Sequence, residues 1–405
     1  MEEKILPILR FDNFNDYWRM SSLLSQVEVR RGLTYKPNDV RSKGARVLRS
    51  SNIVDDSFVI SDDDVFVSKD VINIPRVSNG DILVTAANGS TKLVGKHAII
   101  KHLPDDEIVV HGGFMLLFKT EQNFFVNAWM SSNEYKRVLQ FVQGGNGAIG
   151  NLSSAILKST KMSVPSFSEQ SAIGSLFNTF DDLLTRYKDN LTNYQSLKAT
   201  MLAKMFPKAG QSVPEIRLDG FEGDWKEQTL GSLGSVAMNK RIFKNETSEN
   251  GDIPFYKIGT FGGTADAFIS KEKFQEYKEK YPYPEIGDIL ISASGSIGRT
   301  VVYKGEDAYY QDSNIVWLKH DQQLDNSYLK QYYGIIKWSG IEGTTIKRLY
   351  NKNILETNIF LPPSVVEQQA IGAYFSNLDN LINSHQEKIS QLETLKKKLL
   401  QDMFV

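Results

Sequence analysis

Glu169 to Phe206 reads EQSAIGSLFNTFDDLLTRYKDNLTNYQSLKATMLAKMF, and Glu367 to Phe404 reads EQQAIGAYFSNLDNLINSHQEKISQLETLKKKLLQDMF. The two align without a gap at an offset of 198, with 13 of 38 positions identical. A repeat of this length decides architecture before any local pattern does. Apolar residues recur at steps of three and four in both copies. The first stripe runs Ile173, Phe177, Phe180, Leu184, Tyr187, Leu191 and Tyr194 and drifts to Leu197 and Met201. The second runs Ile371, Phe375, Leu378, Ile382, His385, Ile389, Leu392, Leu395 and Leu399. This near-heptad spacing predicts two long amphipathic helices with a coiled-coil seam. Neither stripe can be buried alone, since thirty-eight helical residues make a rod of roughly 57 Å. The simplest partner for one rod is its duplicate, which makes Ile173, Phe177, Leu184, Leu191, Ile371, Phe375, Leu378, Ile382, Ile389 and Leu392 the expected helix-pairing residues. His385 lies on the seam and reads as a packed residue rather than a ligand or catalyst.

The repeat extends outward from the helices. Arg10, Asp12, Phe14 and Trp18 fall on Arg217, Asp219, Phe221 and Trp225 at an offset of 207, and Gly80-Asp81-Ile82-Leu83 falls on Gly287-Asp288-Ile289-Leu290. The chain is two copies of one unit, each a globular region followed by a long helix: residues 1–165 and 166–206, then 207–363 and 364–405. Within the globular regions, GDILVTAANGSTKLVGKHAII and GDILISASGSIGRTVVYKG each read as strand, Gly-containing turn and strand, and Tyr309 to Lys319 adds a strand-like run. Asn133 to Phe141 reads as a helix capped by Asn133. The fold class is α+β.

Length and composition bound the rest. At 405 residues, 41 % hydrophobic and 23 % charged, the chain supports two or three packed domains. With no cysteine there is no disulfide, thiolate zinc site or thiol nucleophile, and the five histidines lack ligand-like spacing. The opening Met1-Glu2-Glu3-Lys4 and the short apolar run after it lack the regions of a signal peptide, and no segment approaches the ~20 apolar residues of a membrane span. A soluble cytoplasmic protein is expected. The net charge of −1 resolves into +2 for residues 1–168, 0 for 169–206, −2 for 207–366 and −1 for 367–405. A polyanion site must therefore be a local patch.

Several catalytic patterns fail on inspection. Pro104-Asp105 with Glu134-Tyr135-Lys136 is similar to a metal-dependent PD…ExK nuclease, but the triplet opens a helix, which splays Glu134 and Lys136, where the chemistry wants a strand. Gly89 to Lys96 has five residues rather than four between its glycines, and His97 stands where a P-loop needs Ser or Thr. The run Gly144-Gly145-Asn146-Gly147 sits between no clear strand and helix, and the Asn- or Asp-Pro-Pro-aromatic tetrapeptide of base-amino methyltransferases is missing. What remains are basic and polar clusters suited to phosphate contacts and base edges. Arg41, Lys43, Arg46 and Arg49 crowd together near Arg30 and Arg31 and precede Asn52. Lys240, Arg241, Lys244, Tyr256, Lys257, Arg299, Lys347 and Arg348 are scattered through the second copy. The turns bearing Asn88, Ser90 and Lys92, and Ser294 and Ser296, either present N–H groups to phosphates or are ordinary hairpin turns.

Pro165 with Glu169-Gln170-Ser171-Ala172-Ile173, and Leu361-Pro362-Pro363 with Glu367-Gln368-Gln369-Ala370-Ile371, each lead into a long helix. With the duplicated GDIL strands and Trp-containing lead-ins, the chain resembles the specificity subunits of type I restriction-modification systems from end to end; the first copy departs with Val164-Pro165 in place of Leu361-Pro362-Pro363. The resemblance implies two target recognition domains, helices paired antiparallel about a pseudo-two-fold axis, and a bipartite double-stranded DNA target with one half read by each domain. It further implies two methyltransferase subunits carrying S-adenosylmethionine and restriction subunits driven by ATP and magnesium, with no cofactor on this chain and no catalysis by it. The alternatives are a nuclease built on Asp105, Glu134 and Lys136, and a coiled-coil scaffold with no DNA role.

Overall fold

A computed structural model describes residues 5–142, 150–340 and 348–404. The glycine run at 144–147 and Lys347 lie outside the described residues. The chain divides into two compact units, Met1–Lys188 with Glu387–Val405, and Asp189–Gln386. Both divisions fall inside long helices, Phe167–Lys204 and Val365–Met403. Each unit therefore contains one globular region, the first half of its own helix and the second half of the other copy's.

The two units repeat one strand plan. In unit 1 a four-stranded sheet orders His97–Ile99, Ile82–Thr85, Met115–Lys119 and Glu28–Arg31. In unit 2 the order is Thr300–Val302, Ile289–Ser292, Ile315–His320 and Gly234–Ala237. The GDIL segments form the expected antiparallel hairpins, with Leu83 opposite Ala98 and Leu290 opposite Val301. A smaller sheet in each unit holds a parallel pair, Ala45–Leu48 with Ile108–His111 and Ile253–Tyr256 with Tyr309–Tyr310. Strands Arg19–Ser22 and Lys226–Thr229 pair with Lys161–Val164 and Asn358–Leu361, so each unit closes its ends just before the long helix begins. The helix at Asn133–Leu139 starts one residue differently from expectation: Ser132 is its cap, accepting from the Glu134 N–H.

Within unit 1, Asp181 Oδ1 lies 2.5 Å from Lys396 Nζ and Lys188 Nζ lies 2.9 Å from Glu393. Within unit 2, Lys198 Nζ lies 2.5 Å from Asp379 Oδ1, and the rings of Tyr194 and His385 meet at 5.2 Å. The residue numbers of these pairs rise on one helix as they fall on the other, so the pairing is antiparallel in both units and in the same register. His385 is a packed residue, its Nδ1 also 2.9 Å from the Leu381 carbonyl. Leu191, Ile382, Ile389 and Leu392 are half-buried, as two-helix packing requires. Ile173, Phe177 and Leu184 in unit 1, and Ile371, Phe375 and Leu378 in unit 2, are buried. Leu197 and Leu395, read as seam residues, are instead exposed, because the seam passes through the adjacent half-buried Lys198 and Lys396, which pair across to Asp379 and Asp181, before it returns to Met201 and Leu399.

The borrowed helix ends close both cores. Phe404 packs against Trp18, Phe125 and Phe177 with ring centroids 6.3, 5.7 and 5.9 Å away. Phe206 packs against Trp225, Tyr328 and Phe375 at 6.2, 5.6 and 6.1 Å. Truncating such a ring to Ala costs about 3–5 kcal/mol. A bidentate ion pair seals each unit beside that cluster. Arg10 donates to both Glu169 oxygens at 2.7 Å, and Arg217 donates to those of Glu367 at 2.7 and 2.8 Å. The residues that recur at the two ends of each copy are thus contact partners, and the fork geometry of the guanidinium makes this the strong form of such a pair.

Candidate functional site

In both units four loops meet beyond the strand ends of the small sheet. One follows the first strand of the large sheet and carries a short helical turn, Pro37–Asp39 or Lys244–Glu246, whose entry N–H is capped by Asp39 or Glu246. The second leaves the parallel pair. There Arg49 N–H donates to Asn52 Oδ1 at 2.7 Å, and Lys257 N–H donates to Thr260 Oγ1 at 3.1 Å, so Arg49 and Lys257 occupy equivalent places. The preceding carbonyls agree, Leu48 accepting from Gly112 N–H and Tyr256 from Gln311 N–H. The third loop joins the GDIL hairpin. The fourth precedes the next strand, and its Phe114 or Asn314 carbonyl accepts from Ala86 or Ala293 of the third.

In unit 1 these loops enclose a groove of about 750 Å³. Arg49, Ser50 and Asn88 line it with Tyr35, Val40 and Phe114. Asn88 Oδ1 accepts from Ser90 N–H at 2.9 Å and its Nδ2 faces Ser50 Oγ at 3.4 Å. The expected contact residues Arg49, Asn88 and Ser90 are therefore brought together, with Lys92 exposed in the same loop. Arg31, Arg41 and Lys43 are exposed nearby in sequence; Arg31 reaches Ser154 at 3.0 Å and Arg41 the Asn38 carbonyl at 2.7 Å. Arg30 is taken by Glu28 at 2.7 Å.

Three expected DNA contacts are corrected. Arg46 is only 7 % exposed. Its guanidinium is held by both Glu107 oxygens at 2.7 and 2.9 Å and by Asp64 at 2.8 Å, and it covers the Phe66 ring. Asn52 is buried, donating to the Val59 carbonyl and to Asp64 at 2.7 Å while capping Arg49. Both groups have spent their hydrogen bonds inside the fold. Ser294 is a third such case, buried with its hydroxyl 2.7 Å from Asn314 Oδ1.

Unit 2 presents the same loops with different side chains. Arg241 meets Asp312 at 3.0 Å, Lys240 lies over the Tyr281 ring, Lys257 pairs with Asp266 at 2.8 Å, and Tyr256 stacks on Tyr310. Lys244, Ser296 and Arg299 are exposed, and exposed Arg348 bridges to Ser294 through the backbone. The sequence reading missed Phe114, Tyr35 and Val40, whose signal was faint: an aromatic after the Gly112-Gly113 turn, and apolar residues in a loop.

The nuclease reading is not favoured. Glu134 is turned inward, accepting from the Trp129 indole at 2.7 Å and facing Ser163 at 3.4 Å. Burial pushes its carboxyl above the ordinary glutamate range, against the lowering effect of those hydrogen bonds. Among the described residues no three His, Asp or Glu side chains gather as a metal site would require, and no helix is long and apolar enough to cross a membrane.

The model of the type I restriction modification DNA specificity domain matches residues 222–394. A putative type I restriction enzyme specificity subunit of Haemophilus influenzae is 56 % identical over 156 residues, which cover 38 % of this chain and 40 % of that protein. The putative MjaX specificity subunit of Methanocaldococcus jannaschii is 24 % identical over 95 % of this chain and 92 % of its own length. The crystal structure of a type I restriction-modification S subunit from M. genitalium shares the fold, with a TM-score of 0.64, 15 % identity and 99 % of each chain covered. The second half of the chain thus matches the type I restriction modification DNA specificity domain, and nearly the whole chain is similar to type I restriction enzyme specificity subunits.

Proposed function

We propose that this chain reads DNA sequence for a type I restriction-modification complex without catalysing a reaction itself. Each globular region binds one half of a bipartite double-stranded target, and the paired helices set the gap between halves. The observation that carries this reading is the contrast within the repeat. The Asp181–Lys396 and Asp379–Lys198 pairs, the Arg10–Glu169 and Arg217–Glu367 pairs and the Phe404 and Phe206 ring contacts recur at equivalent positions, whereas the loops at the equivalent four-loop sites differ in almost every side chain. Two similar readers with different surfaces select an asymmetric two-part sequence. Methyltransferase subunits bring S-adenosylmethionine, and restriction subunits bring ATP and magnesium chemistry.

The helices also offer a place for the methyltransferase. Leu183 and Leu197 are identical in both copies, as Leu381 and Leu395, yet all four are 37–47 % exposed. By the register of the ion pairs, Leu183 stands level with Leu395 in unit 1 and Leu197 with Leu381 in unit 2. Nothing within either unit explains keeping a leucine at these solvent-facing positions, whereas one partner bound once per unit does.

The test is a map of N6-methyladenine in cells carrying the cognate methyltransferase, with and without this gene. A split motif that vanishes with the gene supports the reading; an unchanged map overturns it. Inserting four residues into one long helix adds roughly 6 Å, so the gap is expected to grow by one or two base pairs while both half-sites persist.

A further inference from the structure

We infer that Phe114 is a base-reading side chain of unit 1, contacting the C5-methyl of a thymine in that unit's half-site; this rests on the function proposed above. Phe114 is 66 % exposed, yet its backbone is fixed, since its carbonyl accepts from both Ala86 and Ala87 N–H at 2.9 and 3.1 Å. The backbone is thus anchored and the ring stands in solvent at the mouth of the unit 1 groove, which Val40, itself 44 % exposed, also lines. Phe114 and Val40 share the lining of one groove, and grouped exposed apolar side chains at a groove mark an interaction site rather than a lone surface residue.

The surroundings say what covers it. Arg49 lines the same groove with no carboxylate pairing it among the described residues, and Asn88 keeps donor capacity there. Exposed Arg31, Arg41, Lys43 and Lys92 stand within three residues of lining positions. An apolar floor rimmed by cations complements a duplex, whose phosphates are anionic and whose only apolar major-groove feature is the thymine methyl. Arg and Asn are the side chains that make paired hydrogen bonds to guanine and adenine edges. The equivalent place in unit 2 shows how the two readers differ. There Asn314 replaces Phe114 and is engaged by Ser294, while Arg241 and Lys257 are held by Asp312 and Asp266. Unit 1 reads with an apolar contact where unit 2 reads with polar ones.

The experiment uses the full chain assembled with its methyltransferase subunits and a duplex of the mapped target. Each thymine of the unit 1 half-site is replaced in turn by deoxyuridine, which lacks only the methyl. At one position the wild-type complex is expected to lose about fourfold in affinity, the value of one buried methyl group. Phe114→Ala is expected to bind that uridine duplex and the thymine duplex equally, while Phe114→Leu keeps the preference. Phe114→Ala leaves the salt dependence of binding unchanged, whereas Arg49→Ala lowers its log–log slope by about one. The inference is overturned if no thymine-to-uridine change weakens wild-type binding, if Phe114→Ala stays as sensitive as wild type, or if Phe114→Ala instead loses its methyltransferase subunits, which would make the groove a protein-docking surface. A wild-type complex with no bipartite preference at all would defeat the proposed function, a separate and recognisable outcome.

Discussion

Gly372→Ala sets two well-known effects against each other, and the structure decides which wins. Gly372 lies inside the helix Val365–Met403, where alanine is favoured over glycine by about 1 kcal/mol. Propensity alone therefore predicts a more stable protein. A Cβ at this position, however, would lie 1.9 Å from Ser327 Oγ, 2.6 Å from Ser327 Cβ and 2.8 Å from its carbonyl carbon. The glycine is what lets the first turn of the helix Asn326–Tyr333 rest on the long helix. Overpacking costs typically 1–3 kcal/mol, and contacts this short with backbone on one side belong at the upper end. The net expectation is a loss of about 2 kcal/mol, or roughly 4–8 °C in the melting of a unit of this size. Removing the hydroxyl does not rescue it, because the Ser327 backbone remains: Gly372→Ala with Ser327→Ala stays destabilised. Urea unfolding, with hydrogen exchange of amides 326–333 as the local probe, makes the measurement. Gly174→Ala repeats it in unit 1, where the obstacles are Phe125 N at 2.7 Å and Phe124 Cβ at 2.9 Å. A rise in stability for either variant would refute the close-approach argument and leave helix propensity in charge.

Three further outcomes are expected. Arg46→Ala should destabilise unit 1 by about 3–5 kcal/mol, since it strands Asp64 and Glu107, and calorimetry should find this before any change in DNA preference. Burial raises the Asp379 carboxyl, but its hydrogen bonds to Lys198 and Lys330 outweigh that and hold it below the usual aspartate range. A depressed carboxyl stabilises the fold above its unfolded value near pH 4 and loses that contribution as pH falls through the folded value. Asp379→Asn should therefore lower stability at neutral pH and converge on wild type in acid; parallel pH curves would contradict the assignment. Leu183→Lys with Leu395→Lys should leave unit 1 folded while weakening methyltransferase binding in pull-down or mass photometry, and unchanged stoichiometry would remove those leucines from the docking surface.

The helices were legible because a stripe at steps of three and four survives in any context, and because the chain prints it twice. The four-loop site was only partly legible. Arg41, Lys43, Arg46 and Arg49 look alike in a sequence, yet Arg46 sits on a strand with its side chain between carboxylates 18 and 61 residues away. Arg49 lies just past the strand end and faces the groove. Burial of one and exposure of the other depend on strand ends and distant partners that no local pattern encodes. Leu197 and Leu395 misled for a different reason: the seam position beside each is a lysine, Lys198 or Lys396, answered by a carboxylate on the opposite helix, so apolar spacing alone picked the neighbouring leucine. The ion pairs Arg10–Glu169 and Arg217–Glu367 carried a readable signal. Four residues recurring at fixed places in two copies, in complementary charge types, are contact partners more simply than they are coincidences.

The same logic explains why the helices stayed alike while the loops diverged. Asp181 of the first helix meets Lys396 of the second, and Lys198 of the first meets Asp379 of the second. Asp181 and Asp379 are one position of the repeat; Lys198 and Lys396 are another. Each copy must therefore carry both members of a pair whose partners lie in the other copy, and a change in one helix is unmatched until the opposite helix follows. Met205-Phe206 and Met403-Phe404, which close each other's cores, obey the same constraint. Among the described residues, the hydrogen bonds and ion pairs given above for the four-loop sites stay within one globular region. Arg241 answers to Asp312 and Asn88 to Ser50 without reference to the other copy. Divergence is thus unconstrained at the loops and doubly constrained at the helices. Such a division lets one half of a two-part address change while the other half and the gap between them are kept.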